Sequence, residues 1–311
     1  MMLYSYPMQN AIINVNGQIL NPESAKISTF DRGYLYGDSL YEVIRTYGGK
    51  IYGMEEHLER LETSAELCHM KLNQSRDEYT SKIHETLRAF QTRNSAIRGA
   101  HPEGSKEAYI RLIVTRGVGK IGFAQSCVLT PTQYVVIVQP LEPPTETQFT
   151  TGMKARVVDR LRNNPRALDP AMKSGNYLNS VLAFLEGARE GFDDALMCNE
   201  DGFVTEGTTF NVFYVKRGII VTPPLDIGIL DGITRREVMR AAREFGIEVR
   251  EARFPKERLY EADEVFLTST IKEVFPITQV DGHKIGKGPG PMTRILREAF
   301  GEYVQRVLRA G

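Results

Sequence analysis

Lys173 stands in the stretch Leu168-Asp169-Pro170-Ala171-Met172-Lys173-Ser174-Gly175-Asn176-Tyr177, where a proline-bearing loop gives way to a helix. A primary amine at such a junction, beside small Ser174 and Gly175, is mobile and has room in front of it. That suits Schiff-base chemistry with a carbonyl cofactor. Alone, a lysine is ordinarily a solvated surface group, so the assignment rests on what else the chain carries. Glu206, in Val204-Thr205-Glu206-Gly207-Thr208, lies between two expected strands. It reads as an exposed turn residue or as a charge partner for a ligand. Thr234 opens an expected helix after Gly232, and the N–H groups of a helix start seat an anion such as a phosphate, although an ordinary capped helix looks the same. Thr268-Ser269-Thr270 follow the apolar run Val265-Phe266-Leu267, and their hydroxyls would bind phosphate or cap the next turn. Arg60 neighbours the core positions Leu58 and Leu61, a placement that also fits a snorkelling surface arginine.

The elements that position these residues are legible from period and punctuation. Tyr177, Val181, Phe184, Leu185 and Ala188 share one apolar face of a helix that Gly191 stops. Ala11 to Leu20 reads as a hairpin around Asn16-Gly17. Ser28 to Gly37 reads as a loop, Ser39 to Tyr47 as a strand turning at Gly48-Gly49. Met54, Leu58, Leu61, Ala65 and Cys68 predict one helix, and Tyr79, Ile83, Leu87 and Phe90 a second from Ser75 to Phe90. Arg93 to Lys106 reads as loop, Ala108 to Thr115 and Tyr134 to Gln139 as strands. The intervening Gly117-Val118-Gly119-Lys120-Ile121-Gly122 is a literal G-x-G-x-x-G. No helical period follows it to aim an N-terminus at a pyrophosphate, so the reading is a flexible loop between strands.

Pro143-Pro144 mark a linker, predicted over residues 141–149, between a domain of residues 1–140 and one of residues 150–311 that carries Lys173. The second domain reads as short strands at Met153 to Asp159, Asp194 to Asn199, Thr208 to Val215 and Ile219 to Thr222. Helices interrupt them at Gly232 to Phe245, near Pro255 to Ala262 and at Met292 to Leu308. Strands mixed with helices in both halves make an α/β or α+β protein. Basic and acidic residues balance at 39 each, which gives no electrostatic case for nucleic acid or an anionic membrane. Cys68, Cys127 and Cys198 form no paired motif, no secretion signal is visible and no apolar run reaches membrane-spanning length. A cytoplasmic protein with no membrane partner is therefore expected.

Taken together, the markers resemble the class IV (fold type IV) pyridoxal-phosphate enzymes: branched-chain aminotransferases, D-amino acid aminotransferases and aminodeoxychorismate lyase. They occur in the family's order across nearly the whole chain: Asp31-Arg32-Gly33 with Gly37-Asp38, His57-Leu58-Glu59-Arg60-Leu61, Lys173-Ser174-Gly175-Asn176-Tyr177, Glu206-Gly207-Thr208, Leu230-Asp231-Gly232-Ile233-Thr234-Arg235, and Thr268-Ser269-Thr270 with Glu273-Val274. The resemblance implies a small N-terminal α/β domain, a larger C-terminal pseudo-barrel domain and pyridoxal 5'-phosphate as cofactor. It implies that Lys173 carries the cofactor and moves the substrate proton, that Glu206 faces the pyridine nitrogen and that Tyr177 bonds the phenolate oxygen. Leu230 would pack on the ring. Arg60, the Ile233 and Thr234 amides and Thr270 would hold the phosphate. Substrate contacts would come from Tyr36, Tyr41, Val43, Tyr109, Arg111 and Ile271. A homodimer or higher homo-oligomer is implied, with the Gly117 to Gly122 loop as the arm that reaches a second subunit's site.

The substrate markers divide. Tyr109-Ile110-Arg111 and Arg162 to Pro165 are similar to the branched-chain type, in which the Tyr-x-Arg residues help recognise carboxylates. Val43, where that type usually has glycine, and Thr208-Thr209-Phe210 depart from it, and Val43 is more like the D-amino acid type. The expected reaction is transamination between an L-branched-chain-type amino acid and 2-oxoglutarate. A D-amino acid aminotransferase is the alternative, followed by a lyase or a non-catalytic homologue acting as a binding protein.

Overall fold

The computed structural model describes residues 10–96 and 107–310. The opening residues of the chain and positions 97–106 of the expected Arg93 to Lys106 loop lie outside them. The chain divides into two compact units. One comprises Met1–Pro143 with Met172–Asn176, the other Pro144–Ala171 with Tyr177–Gly311. The lysine-bearing segment, expected in the second domain, thus belongs by its contacts to the first unit.

The first unit contains β1 (Ile12–Val15), β2 (Gln18–Leu20), α1 (Arg32–Tyr36), β3 (Ser39–Tyr47), β4 (Lys50–Ile51), α2 (Met54–Leu67), α3 (Arg76–Ala96), β5 (Ala108–Thr115) and β6 (Gln133–Pro140). The strands form one antiparallel sheet in the order β2-β1-β6-β5-β3-β4. Its hairpin closes on Asn16 and Gly17, both at positive φ (49° and 94°), as a two-residue turn of this chemistry requires. The alternation of β5 sends Ala108, Ile110, Leu112 and Val114 inward, where they meet Leu58 and Leu61 of α2 and Tyr79, Ile83, Leu87 and Phe90 of α3. Helix α3 runs on past Phe90 to Ala96, into the stretch expected to be loop.

Two local readings are corrected here. The expected loop Ser28 to Gly37 contains α1, started by the Asp31 side chain accepting from the Gly33 N–H and ended by Gly37 at φ 67°. Five residues are too few to show a helical period. The glycine-rich segment after β5 is bridged to both sides: Val118 pairs with Asp31, and Gly119 with Val128. Lys120 N–H donates to the Cys127 carbonyl at 2.8 Å and Leu129 N–H to the Val118 carbonyl at 3.0 Å. The segment read as a flexible loop is held by these isolated bridges as a short ribbon, and Gly117 and Gly119 serve close backbone approach.

The second unit begins with α4 (Glu146–Thr151), opened by a capping box between Thr145 and Gln148, so the predicted linker 141–149 already contains a helix start. There follow β7 (Met153–Val157), α5 (Leu178–Arg189), β8 (Asp194–Cys198), β9 (Val204–Gly207), β10 (Asn211–Lys216), β11 (Ile219–Thr222), α6 (Ile233–Glu244), β12 (Val249–Glu251), α7 (Glu257–Tyr260), β13 (Glu264–Ser269), β14 (Glu273–Val280), β15 (His283–Lys284) and α8 (Pro291–Ala310). The strands form a mixed sheet, β12-β11-β10-β13-β14-β7-β8-β9, with β15 added beside β14. One face buries Phe149, Leu196, Val212, Val265, Leu267 and Ile277. On the other, Phe213 and Phe266 stack with centroids 4.9 Å apart. Helix α5 forms where its period predicts it, but its buried residues are Ser180, Ala183 and Gly187. The large residues of the apolar face read from the sequence are exposed, Val181, Phe184 and Leu185 each above 40%, and neighbouring Leu178 is 68% accessible.

A Cβ on Gly119 would stand 2.1 Å from the Cys127 carbonyl oxygen, a backbone atom that cannot swing aside. Gly119→Ala is expected to lower stability by about 1–3 kcal/mol through forced separation of the two ribbon strands. Thermal denaturation checks this, and an unchanged midpoint would show that the ribbon tolerates displacement.

Candidate active site

In the first unit the sheet presents two chemically different faces. Leu40, Glu42 and Ile44 of β3 turn towards α2, while Ser39, Tyr41, Val43 and Arg45 alternate to the opposite face. The Met172–Asn176 segment is stapled along β3. Tyr41 N–H donates to the Lys173 carbonyl at 3.1 Å, Gly175 N–H donates to the Ser39 carbonyl at 2.7 Å, and Leu40 bridges Ser174. From α2, Ser64 Oγ accepts the Lys173 N–H at 3.1 Å. Gly175 eases this approach, since a Cβ there would lie 2.1 Å from Ser39 Oγ and force that hydroxyl to turn aside.

This staple sets the amine beside Tyr41. Lys173 Nζ is 2.9 Å from the Tyr41 hydroxyl and 4.4 Å from the ring centroid. The Arg111 guanidinium lies 4.4 Å from the same centroid. Arg111 is the cross-strand partner of Val43 and Tyr109 that of Arg45, so all share the face that carries Tyr41. Of the expected substrate residues in this unit, Tyr41, Val43, Tyr109 and Arg111 therefore gather on the Lys173 face. Tyr36 lies on α1, where its hydroxyl accepts the Gly122 N–H at 3.1 Å and its ring meets Phe123 at 5.3 Å.

Under α2 the sequence reasoning missed a charge cluster. The Glu42 carboxylate is fully buried. It accepts from Arg60 Nε at 2.9 Å, from Arg60 Nη2 at 2.7 Å and from His57 Nδ1 at 2.7 Å. Burial alone would raise the carboxyl, but the Arg60 charge and the hydrogen bonds from Arg60 and His57 outweigh it and hold the group at about 2. Burial pushes His57 below its ordinary value against the pull of Glu42. A neutral imidazole donating from Nδ1 satisfies that arrangement. The motif His57-Leu58-Glu59-Arg60 showed an i, i+3 pair on one helix face, but nothing local connected it to Glu42.

In the second unit Glu206 is on β9 and 5% exposed, so it is not a surface turn residue. One carboxylate oxygen accepts from Arg162 Nε at 2.9 Å; the other accepts from Asn211 Nδ2 at 3.2 Å and from the Leu230 N–H at 3.1 Å. Asn211 also donates to the Leu230 carbonyl at 3.0 Å, so one side chain joins the acid to the approach of α6. Helix α6 starts at Gly232 without a side-chain cap, and Ile233 and Thr234 are buried in its first turn. Thr268 pairs with Asn211 across β13 and β10, and its hydroxyl is buried with no hydrogen-bond partner among the described residues. Tyr177 is the N-cap of α5, while Thr270 and Ile271 form the tight turn from β13 to β14, closed by Lys272 N–H donating to Ser269 Oγ at 3.1 Å. Arg162 and Asn211 are the partners that sequence reading did not assign. Among the described residues no group of acidic, histidine or cysteine side chains is arranged to hold a metal ion, and no helix is long and apolar enough to cross a membrane.

A fold of these two units, a stapled lysine and a buried carboxylate match one family. The family model for amino-transferase class IV covers residues 39–280, and the chain belongs to that family. Among curated relatives, a putative branched-chain-amino-acid aminotransferase of Methanocaldococcus jannaschii is 39% identical over 93% of this chain and 94% of its own. A D-alanine aminotransferase of Bacillus licheniformis is 34% identical over 92% and 94%. Among solved structures, the branched-chain amino acid aminotransferase from Thermobaculum terrenum in its PLP form superposes with a TM-score of 0.81 at 32% identity, over 96% of this chain and 94% of the other. The protein is a fold type IV aminotransferase that uses pyridoxal 5'-phosphate.

The Glu42 carboxyl lies below its unfolded value. Its contribution to stability is therefore complete above pH 4.5 and lost as the pH falls towards about 2. Glu42→Gln is expected to remove much of that acid limb in urea titrations. It should also lower stability at neutral pH by about 3–5 kcal/mol, because Arg60 loses its buried counter-charge. An acid limb of equal size in both proteins would place the titrating group elsewhere.

Proposed function

We propose that the protein transfers the amino group of an L-branched-chain-type amino acid to 2-oxoglutarate. The observation that carries this reading is the shared sheet face of Tyr41, Val43, Tyr109 and Arg111 beside the Lys173 amine, which sets a guanidinium where an acidic substrate would be met. The relative of 39% identity whose name is that of a branched-chain enzyme supports it. A D-amino acid donor is the second reading. It is favoured by Val43, whose side chain stands next to Arg111 in register, and by the D-alanine aminotransferase relative.

The residues present fit the cofactor. The uncapped start of α6 and the partnerless Thr268 hydroxyl offer donors to a phosphate, and Gly232 keeps the backbone bare, since a Cβ there would meet Asn211 Oδ1 at 2.0 Å. When bound, pyridoxal 5'-phosphate supplies a carbonyl for the amine and a ring that accepts the electron pair left at the substrate α-carbon. Lys173 Nζ would carry the proton between that α-carbon and the carbonyl carbon of the cofactor. Glu206, oriented by Arg162 and Asn211, keeps a proton at the pyridine nitrogen. Arg60, the Ile233 and Thr234 amides and Thr270 hold the phosphate, Tyr177 bonds the phenolate oxygen and Leu230 packs against the ring. Tyr36, Tyr109 and Ile271 complete the substrate contacts. A homodimer that covers the exposed face of α5 and the Ile121 and Phe123 side chains, 74% and 84% accessible, completes the proposal, together with a cytoplasmic location.

Borohydride reduction of the holoenzyme should fix the cofactor to the peptide containing Met172 and Lys173, and Lys173→Ala should lose turnover by several orders of magnitude. Mass spectrometry finding the label on another lysine would overturn the assignment. A donor panel of L-leucine, L-isoleucine and D-alanine tests the substrate. Val43→Gly is expected to raise the rate with leucine relative to alanine by tens-fold, the value of about 1–3 kcal/mol for a relieved contact. A wild type that prefers D-alanine selects the second reading.

A further inference from the structure

We propose that Glu42 and His57 are a positioning pair dedicated to Arg60, fixing the one direction in which its guanidinium presents itself to the cofactor phosphate. The inference rests on the reading of Arg60 as a phosphate ligand. Its support is the way the guanidinium is gripped. Glu42 Oε1 takes Nε at 2.9 Å and Oε2 takes Nη2 at 2.7 Å, the two parallel bonds of a planar fork. Held at both donors, the plane cannot rotate about its long axis, and the Nη1 donors keep a single heading. A lysine would satisfy the charge of Glu42 but not this geometry.

The carboxylate is itself prevented from swinging. His57 and Arg60 stand three residues apart on the same face of α2, and His57 Nδ1 donates to Oε2, which thereby takes two donors. Glu42 and His57 are both buried, at 0% and 2% exposure. The neighbouring residue of Glu42 on β3 is Tyr41, whose hydroxyl bonds the Lys173 amine. A single strand thus carries on one face the residue that meets the amine and on the other the residue that aims the arginine.

Charge alone predicts the opposite of positioning. A carboxylate beside Arg60 weakens the attraction of that arginine for an anion, so its removal would tighten phosphate binding. If Glu42 acts by orientation, its removal weakens it. The test is titration of the apoprotein, followed by absorbance, with pyridoxal 5'-phosphate and with pyridoxal, which lacks the phosphate. The ratio of the two dissociation constants isolates the phosphate from damage to the fold. Arg60→Ala is expected to reduce the advantage of the phosphorylated form by about 100-fold, the loss of charge-assisted hydrogen bonds. Glu42→Gln should reduce it about tenfold with pyridoxal affinity nearly unchanged, and should add nothing in the Arg60→Ala background. Glu42→Asp, which keeps the charge, and His57→Gln should fall between, and both serve where Glu42→Gln does not fold. An advantage that is unchanged or increased in the Glu42 and His57 variants, while Arg60→Ala abolishes it, overturns the positioning pair and leaves Arg60 as a phosphate ligand. An unchanged advantage in Arg60→Ala overturns that reading of Arg60, and the positioning pair with it.

Discussion

A carboxylate held wholly out of water on a central strand requires an opposite charge brought by another element, and the first unit is arranged around meeting that requirement. Glu42 cannot stay ionised at 0% exposure unless α2 lies across β3 with Arg60 and His57 turned down onto it. That placement orders much else. With α2 fixed, Leu58 and Leu61 enter the core, and Ser64 lies where its hydroxyl receives the Lys173 N–H. The position of the lysine main chain is in this sense a consequence of the ion pair, about one turn of helix away at Arg60. The second unit solves the same problem separately, with Glu206 compensated by Arg162 and by two N–H donors. In both units the chemically distinctive charge is paired by a residue from another element, so neither floats.

The staple along β3 explains why a short piece of chain from far along the sequence belongs to the first unit. Two backbone hydrogen bonds and a bridge give Met172–Asn176 the pairing of a strand, and Gly175 allows the close approach. A lysine on a free loop would sample many rotamers. One whose backbone is paired on both sides has only its side chain to order, which lowers the entropic cost of holding the amine at the Tyr41 hydroxyl.

What the sequence disclosed follows from the range of the interactions involved. Hairpin chemistry at Asn16-Gly17, the inward alternation of Ala108 to Val114 and the apolar stripe of α3 are local, and each element formed at its pattern, with α3 continuing past the stripe to Ala96. The residues proposed for the cofactor were legible only through the order of six motifs, because no single one distinguishes a ligand from a cap or a surface group. The pairings made by Glu42, Arg162 and Asn211 were not legible. Glu42 meets Arg60 from 18 residues away, and Arg162 meets Glu206 from 44, so no window of sequence contains both partners. The small helix α1 and the ribbon around Gly119 were missed for a related reason. Their order comes from bridges to other segments, and neither is long enough to display a period.

Helix α5 shows the remaining limit of pattern reading. Tyr177, Val181, Phe184, Leu185 and Ala188 were correctly placed on one face, yet the residues buried within the unit are the small Ser180, Ala183 and Gly187. Period identifies an apolar face without stating what covers it. Here the helix approaches its own sheet through small side chains, which permits close packing: a Cβ on Gly187 would lie 3.3 Å from the Asp194 carbonyl oxygen. The large side chains point the other way, and a cluster of this kind on one helix is more than scattered surface hydrophobicity explains. The same helix thus carries two faces, a tight one of small residues against its own sheet and a broad apolar one left exposed, which is the face assigned to the proposed dimer.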